Sequence, residues 1–180
     1  HGPIFTVGGA CASGNIALMN AVDQLRYHDT DVAVVTGAAL EYNAMDLHAM
    51  CLMGAISFQS FNEEPQRASR PYDKRREGFV PSHGTATLIV ETLAHAQARG
   101  ARIYAEVLGV TAGSDANHLP NPSVEGQVRT LTRLFRDSGV RPEEIDFVCA
   151  HATSTPLGDL TELKALKKVF GDHAKKLKIN

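Results

Sequence analysis

The sequence predicts an α/β fold, and three stretches carry that prediction. A glycine turn, Gly8-Gly9, runs directly into an apolar helical pattern. A polar turn then leads into Val32-Ala-Val-Val-Thr-Gly-Ala38, a short continuous apolar run of the kind a strand covered on both faces shows. A second apolar run, Ile145-Asp-Phe-Val-Cys-Ala150, delivers a polar loop and a final helix. Helix, tight turn and buried strand in succession mark a layered α/β architecture.

The elements follow in chain order. Residues 4–7 read as a short extended run. The helix expected from about residue 12 to 27 carries Ile16, Ala17, Leu18, Met19, Ala21 and Val22 on nearly every side, so it is expected to lie buried between layers, with Ser13 helping to cap it. Residues 41–61 are rich in Met, Leu and Ala without a clean period, which predicts helix pieces and buried loops, with Met45, Met50 and Met53 filling core, ahead of lining an apolar channel. Residues 62–78 form an irregular charged stretch whose arginines suit a solvated loop pinned by ion pairs better than a phosphate site.

A strand is expected around residues 86–90, then a helix over 92–99 that Gly100 stops, then a strand over 102–110. Residues 111–125 are a long polar loop, and the helix at about 126–137 places Val128, Leu131, Leu134 and Phe135 on one stripe ahead of Gly139. The strand at 145–150 ends at His151. Asp159 with Glu162 three residues on reads as a cap and capping box for a helix over 160–170, buried through Leu163, Leu166 and Phe170. A boundary between two structural halves falls at Arg99-Gly100-Ala101.

Composition narrows the function classes. The 180 residues are 43% hydrophobic, enough for one ordinary core or two small or incomplete ones. A net charge of -2 predicts no general polyanion-binding surface, hence no nucleic-acid partner. Cys11, Cys51 and Cys149 are odd in number and far apart, which suits a reduced, cytoplasmic protein. No apolar run approaches the roughly 20 residues that span a bilayer, so no membrane association is expected. The sequence starts at His1 and stops at Lys178-Ile-Asn180 as though a strand were beginning, and is read as a fragment of something larger.

Chemistry centres on Cys11. A thiol at a helix start meets unpaired backbone N–H groups and the positive end of the helix dipole, both of which stabilise negative charge on sulfur. The residues admit two readings: a nucleophile, or a small buried cysteine helping the turn pack. His151 likewise is either catalytic, in the crevice at the carboxyl end of a strand, or a bond to its own loop. The other candidate histidines are His48 in the Met-rich stretch, His83 in a glycine-containing turn and His118 in the polar loop. No histidine pair has metal-ligand spacing with a third ligand, and there is no CxxC, so no metal is expected. Dinucleotide and phosphate-loop fingerprints are absent, and Ser13 and Ser154 lack a nucleophile-elbow setting. A thiol with a distant histidine acting as base, or as hydrogen-bond donor to a thioester oxygen, fits acyl transfer.

Several segments together resemble the β-ketoacyl synthases, the condensing enzymes of fatty acid and polyketide synthesis. They are Gly9-Ala-Cys-Ala-Ser-Gly14, Val35-Thr-Gly-Ala38, Ala68-Ser-Arg-Pro-Tyr-Asp-Lys74 with Glu77-Gly-Phe-Val80, Ala101-Arg-Ile-Tyr-Ala-Glu-Val-Leu-Gly109, and His151-Ala-Thr-Ser-Thr-Pro-Leu-Gly-Asp159. The resemblance implies a thiolase-like five-layered αβαβα fold, present only in part. Residues 1–100 would be the C-terminal part of the N-terminal half, and 101–180 the first part of the C-terminal half. It implies that Cys11 accepts an acyl chain from acyl carrier protein and that its backbone N–H serves an oxyanion hole. It further implies that His151 is the first of two catalytic histidines, that Thr153 and Thr155 flank the pantetheine arm, and that Asp159 and Glu162 organise the loop and bond to a lysine lying further on.

The implied reaction is decarboxylative Claisen condensation of acyl and malonyl thioesters in a homodimer or heterodimer. No cofactor is bound, the phosphopantetheine being carried by acyl carrier protein. Two departures stand out. Ala152 replaces the glycine of the usual His-Gly-Thr, and Pro81-Ser-His-Gly-Thr85 replaces a run of glycines with an acidic residue. These suggest a divergent polyketide-type synthase and keep open a non-extending relative, either a malonyl-thioester decarboxylase, an acyl transferase or a non-catalytic structural partner subunit. The resemblance places a lysine and the second histidine beyond Asn180, so residues 1–180 alone are expected to lack condensing activity and to fold poorly.

Overall fold

The computed structural model describes residues 2–39, 41–117 and 121–180, and His118 lies outside them. The chain is mixed α/β and divides into two units, each assembled from two separated stretches.

The first unit takes in residues 2–39 and 83–112. A single 3-10 turn, Ala10–Ala12, opens into helix α1, Ser13–Tyr27. Strand β1, Val32–Ala38, pairs antiparallel with β2, Thr85–Glu91, in a register that sets Val32 opposite Glu91 and Ala38 opposite Thr85. Thr36 and Thr87, directly opposed, share a hydroxyl hydrogen bond of 3.0 Å. Helix α3, Leu93–Ala98, follows with the Thr92 hydroxyl accepting the His95 N–H, and Gly100 adopts φ +66° just beyond its end.

Burial in this unit is lower than its apolar sequence predicts. α1 packs on β1 and β2, yet its buried residues are Ala21 and Val22. β1 is not covered on both faces: Val35 is buried, while Val34 is 69% exposed. Among the described residues the sheet has two strands, so apolar side chains suited to an interior strand meet no further layer. Residues 4–7 and 102–110 form no strand, because no described strand edge supplies their ladder hydrogen bonds. Ile103 and Tyr104 stand exposed.

The second unit takes in residues 41–82, 113–117 and 121–180. Helix α2, Ala44–Leu52, begins with a capping box in which Asn43 and Asp46 accept each other's backbone N–H groups. Met45 and Met53 are exposed, so they do not fill core as expected. Helix α4, Val124–Ser138, is capped by Ser123 and closed by Gly139 at φ +73°. It packs on helix α5, Pro156–Phe170, where Phe135 and Phe170 meet edge to face with centroids 5.6 Å apart. Ala165, Leu166 and Phe170 are buried on α5, whereas Leu163 is half-buried.

Strand β3 is confined to Phe147–Val148 and pairs in parallel with β4, Lys178–Ile179. The expected strand over 145–150 is shorter, and Phe147 is half exposed, because it pairs along one side only.

Candidate active site

Cys11 occupies the middle of the 3-10 turn ahead of α1, and its thiol is exposed rather than packed. The turn is tight. Ala10 lies at φ +48°, a left-handed conformation that costs a residue with a Cβ roughly 1–2 kcal/mol. Ser13 compensates: its Oγ accepts the Gly9 N–H at 2.9 Å and donates to the Ala10 carbonyl at 2.7 Å. Ser13 is thus the first residue of α1 and pins the turn around Cys11, rather than capping the helix, whose N-cap is Ala12.

The other expected site residues lie together in the second unit. His151 follows β3 closely, is exposed, and begins a loop that ends at the N-cap of α5. That loop holds two non-glycine residues in the left-handed region, Ala152 at φ +43° and Ser154 at φ +65°. Such conformations persist only where the surroundings over-determine them. Glu162, one turn into α5, accepts the His151 N–H on Oε1 at 2.7 Å and the Ala152 N–H on Oε2 at 3.0 Å. The Ser154 side chain is fully buried, and its Oγ accepts the Arg70 N–H at 3.0 Å.

Thr153 and Thr155 share a hydroxyl hydrogen bond of 3.0 Å. Thr155 is also the N-cap of α5, accepting the Gly158 N–H at 3.1 Å, with Pro156 at the first helical position. The cap expected at Asp159 is therefore one turn too late. Asp159 instead lies inside the first turn, 1% exposed, where a carboxylate is favoured by the helix dipole.

Asp159 is held by the charged stretch before β2. Its Oδ2 accepts the Tyr72 N–H at 2.8 Å and stands 3.3 Å from Arg76 Nε. Arg76 also donates to the carbonyls of Thr155 at 3.0 Å and Pro156 at 2.6 Å. Tyr72, itself at φ +64°, donates its phenol to Glu162 Oε2 at 3.3 Å. Burial, then the charge and hydrogen bond of Glu162, then the charge of Asp159 push this phenol well above the usual tyrosine range. Arg70 pairs with Asp73 at 3.0 Å and lies over the Phe61 ring at 4.9 Å. The stretch is pinned by ion pairs, as its sequence suggests, but Arg70 and Arg76 are largely buried rather than solvated.

Ser154, Tyr72 and Arg76 are structural members of this region that residue-type reasoning passed over. The signal available was the Arg-Pro-Tyr-Asp run, whose aromatic and alternating charges are unusual for a plain linker. His48 lies on α2, apart from the loop in sequence, and is exposed. Among the described residues no group of three or more His, Cys, Asp or Glu side chains is arranged to hold a metal. No helix among them is long and apolar enough to cross a membrane.

Comparison with known proteins defines the class. Residues 1–96 match the family model of the beta-ketoacyl synthase N-terminal domain, and residues 104–180 that of its C-terminal domain. The chain belongs to the beta-ketoacyl synthase family. It is 38% identical over 181 aligned positions to the 3-oxoacyl-[acyl-carrier-protein] synthase 2 of Coxiella burnetii, covering 99% of this chain and 43% of that protein. It is 34% identical to the polyketide biosynthesis malonyl-ACP decarboxylase PksF of Bacillus subtilis, covering 96% of this chain and 42% of the relative. In fold it matches a chain of the apo AntDE:AntF structure, a type II PKS acyl-carrier protein in complex with its ketosynthase bound to the hexaketide. The TM-score there is 0.89 at 31% identity, covering 94% of this chain and 42% of that one. The architecture is thus part of a thiolase-like α/β fold, and the chain spans less than half the length of these relatives.

Proposed function

We propose that the protein carrying this chain is a condensing acyltransferase that lengthens an acyl chain held on Cys11. The observation that carries this reading is an exposed thiol in a strained, side-chain-pinned turn at the mouth of α1, within a chain that matches both synthase domains. The Cys11 thiolate attacks the carbonyl carbon of an acyl thioester on acyl carrier protein, and the phosphopantetheine thiol leaves with a proton. A malonyl thioester then loses carbon dioxide, and the resulting enolate carbon attacks the acyl-Cys11 carbonyl. The new carbon–carbon bond forms as the Cys11 thiolate departs.

In this reading the Cys11 N–H donates to the oxyanion at the acyl carbon, and His151 donates to the malonyl thioester oxygen as negative charge gathers there. Thr153 and Thr155 flank the pantetheine arm, while Asp159 and Glu162 hold the loop from behind. The two halves of the synthase meet near residue 100, and the protein works as a homodimer or heterodimer in the cytoplasm, without a bound cofactor. Three unpaired cysteines support a reducing compartment.

A second reading, decarboxylation without extension, is favoured by the similarity to PksF. Incubating the intact protein with labelled acyl carrier protein and malonyl carrier protein, beside Cys11→Ala, separates the two. A product longer than the loaded chain, absent in C11A, supports condensation. Carbon dioxide release with no longer product supports the decarboxylase.

A further inference from the structure

We propose that Tyr72 is a positioning residue that acts through Glu162 to hold loop 151–154 in its left-handed shape. Ala152 and Ser154 both sit in conformations disfavoured by a Cβ, and Glu162 secures the His151 end with one oxygen on each amide of the pair. A single carboxylate serving two amides must itself be kept from rotating. Among the described residues, the third donor on it is the Tyr72 phenol, on the same Oε2 that takes the Ala152 N–H.

Tyr72 is suited to that task because both its ends are tied to one turn of α5. Its backbone N–H is fixed to the buried Asp159 carboxylate, and its phenol reaches Glu162 three residues further along the helix. Arg76 locks the same turn through the carbonyls of Thr155 and Pro156. The phenol stays protonated at any working pH, so it donates and Glu162 accepts. The role rests on the reading of His151 as catalytic, whereas the linkage itself stands on geometry.

The test is Tyr72→Phe, Glu162→Gln and the double variant in the intact protein. It is read by amide hydrogen exchange and by malonyl carrier protein decarboxylation. In Y72F the His151 and Ala152 amides should exchange about threefold to tenfold faster, the size of effect one lost hydrogen bond produces, while Leu166 inside α5 is unchanged. Decarboxylation kcat should fall by a similar factor with KM unchanged, and Y72F should cost less on the E162Q background than in the wild type, since the phenol acts through the side chain at 162 and the amide oxygen of E162Q accepts it more weakly than a carboxylate. Unchanged exchange, additive effects in the double variant, or wild-type turnover in Y72F would each overturn the proposal. An exchange response in a protein with no turnover at all upholds the linkage and removes the catalytic reading of His151 instead.

Discussion

The backbone N–H of Tyr72 donates to Asp159 Oδ2 at 2.8 Å, tying a charged loop to the first turn of α5 across 87 residues of chain. With Arg76 at 3.3 Å on the same oxygen, this is a deeply buried polar junction beside the His151 loop. Asp159 Oδ1 has no hydrogen-bond partner among the described residues, so the carboxylate depends on Oδ2 for its compensation.

Removing Arg76 should therefore be costly. It strands a buried carboxylate and frees the Thr155 and Pro156 carbonyls together. Arg76→Ala is expected to destabilise the intact protein by about 3 kcal/mol, read from urea unfolding. Arg76→Lys should recover part of this, because a single ammonium cannot reproduce the guanidinium fork. A loss below about 1 kcal/mol in R76A would show that the junction is solvated.

Acid should loosen the same loop. Asp73 is held down to about 2 from an ordinary value of 3.8 by the Arg70 guanidinium and then by the Arg75 backbone N–H. Glu77 is also lowered, first by the Ser57 hydroxyl, with the Gln59 and Ser60 N–H groups adding to it. Both carboxylates are easier to ionise folded than unfolded, so their contribution is complete above the unfolded values and is lost as pH falls through the folded ones. The urea midpoint should hold from about pH 7 to about pH 5 and decline from about pH 4 towards pH 2. Asp73→Asn should flatten the lower part of that decline; an identical profile in D73N would contradict the assignment.

Ala152 offers a substitution that should do no harm. At φ +43° its methyl group is a source of strain, and glycine adopts that conformation freely, at the cost of a more flexible unfolded chain. Ala152→Gly is expected to be neutral or to stabilise by up to about 1 kcal/mol, measured by thermal unfolding. A loss of more than about 1 kcal/mol would mean that the Ala152 methyl is making favourable contacts that outweigh its backbone strain.

Much of the fold is legible in local pattern. α1, β1, β2 and α4 fall close to where periodicity, glycine stops and polar turns put them, since those signals act within a few residues. Of the strands expected over 102–110 and 145–150, the first does not form and the second is confined to Phe147–Val148. Apolar alternation shows that a segment suits a sheet and says nothing of whether an edge is there to receive it. The helix is capped at Thr155 rather than Asp159, because Thr155 with Pro156 supplies an earlier and better start, releasing Asp159 for the buried junction. The partners of Glu162 were beyond reach for a different reason: its bond to Tyr72 joins residues 90 apart, and no local pattern encodes such a pairing.

Cys11 as the acyl acceptor is the claim on which the functional reading turns, and Cys149 is also exposed, so the thiols must be told apart. The direct measurement is peptide mass spectrometry of the intact protein after incubation with an acyl thioester of acyl carrier protein, beside C11A. An acyl mass increment on the Cys11 peptide, lost in C11A with no increment elsewhere, is the expected result. An unmodified Cys11 peptide, or acylation that persists on Cys51 or Cys149 in C11A, would contradict it.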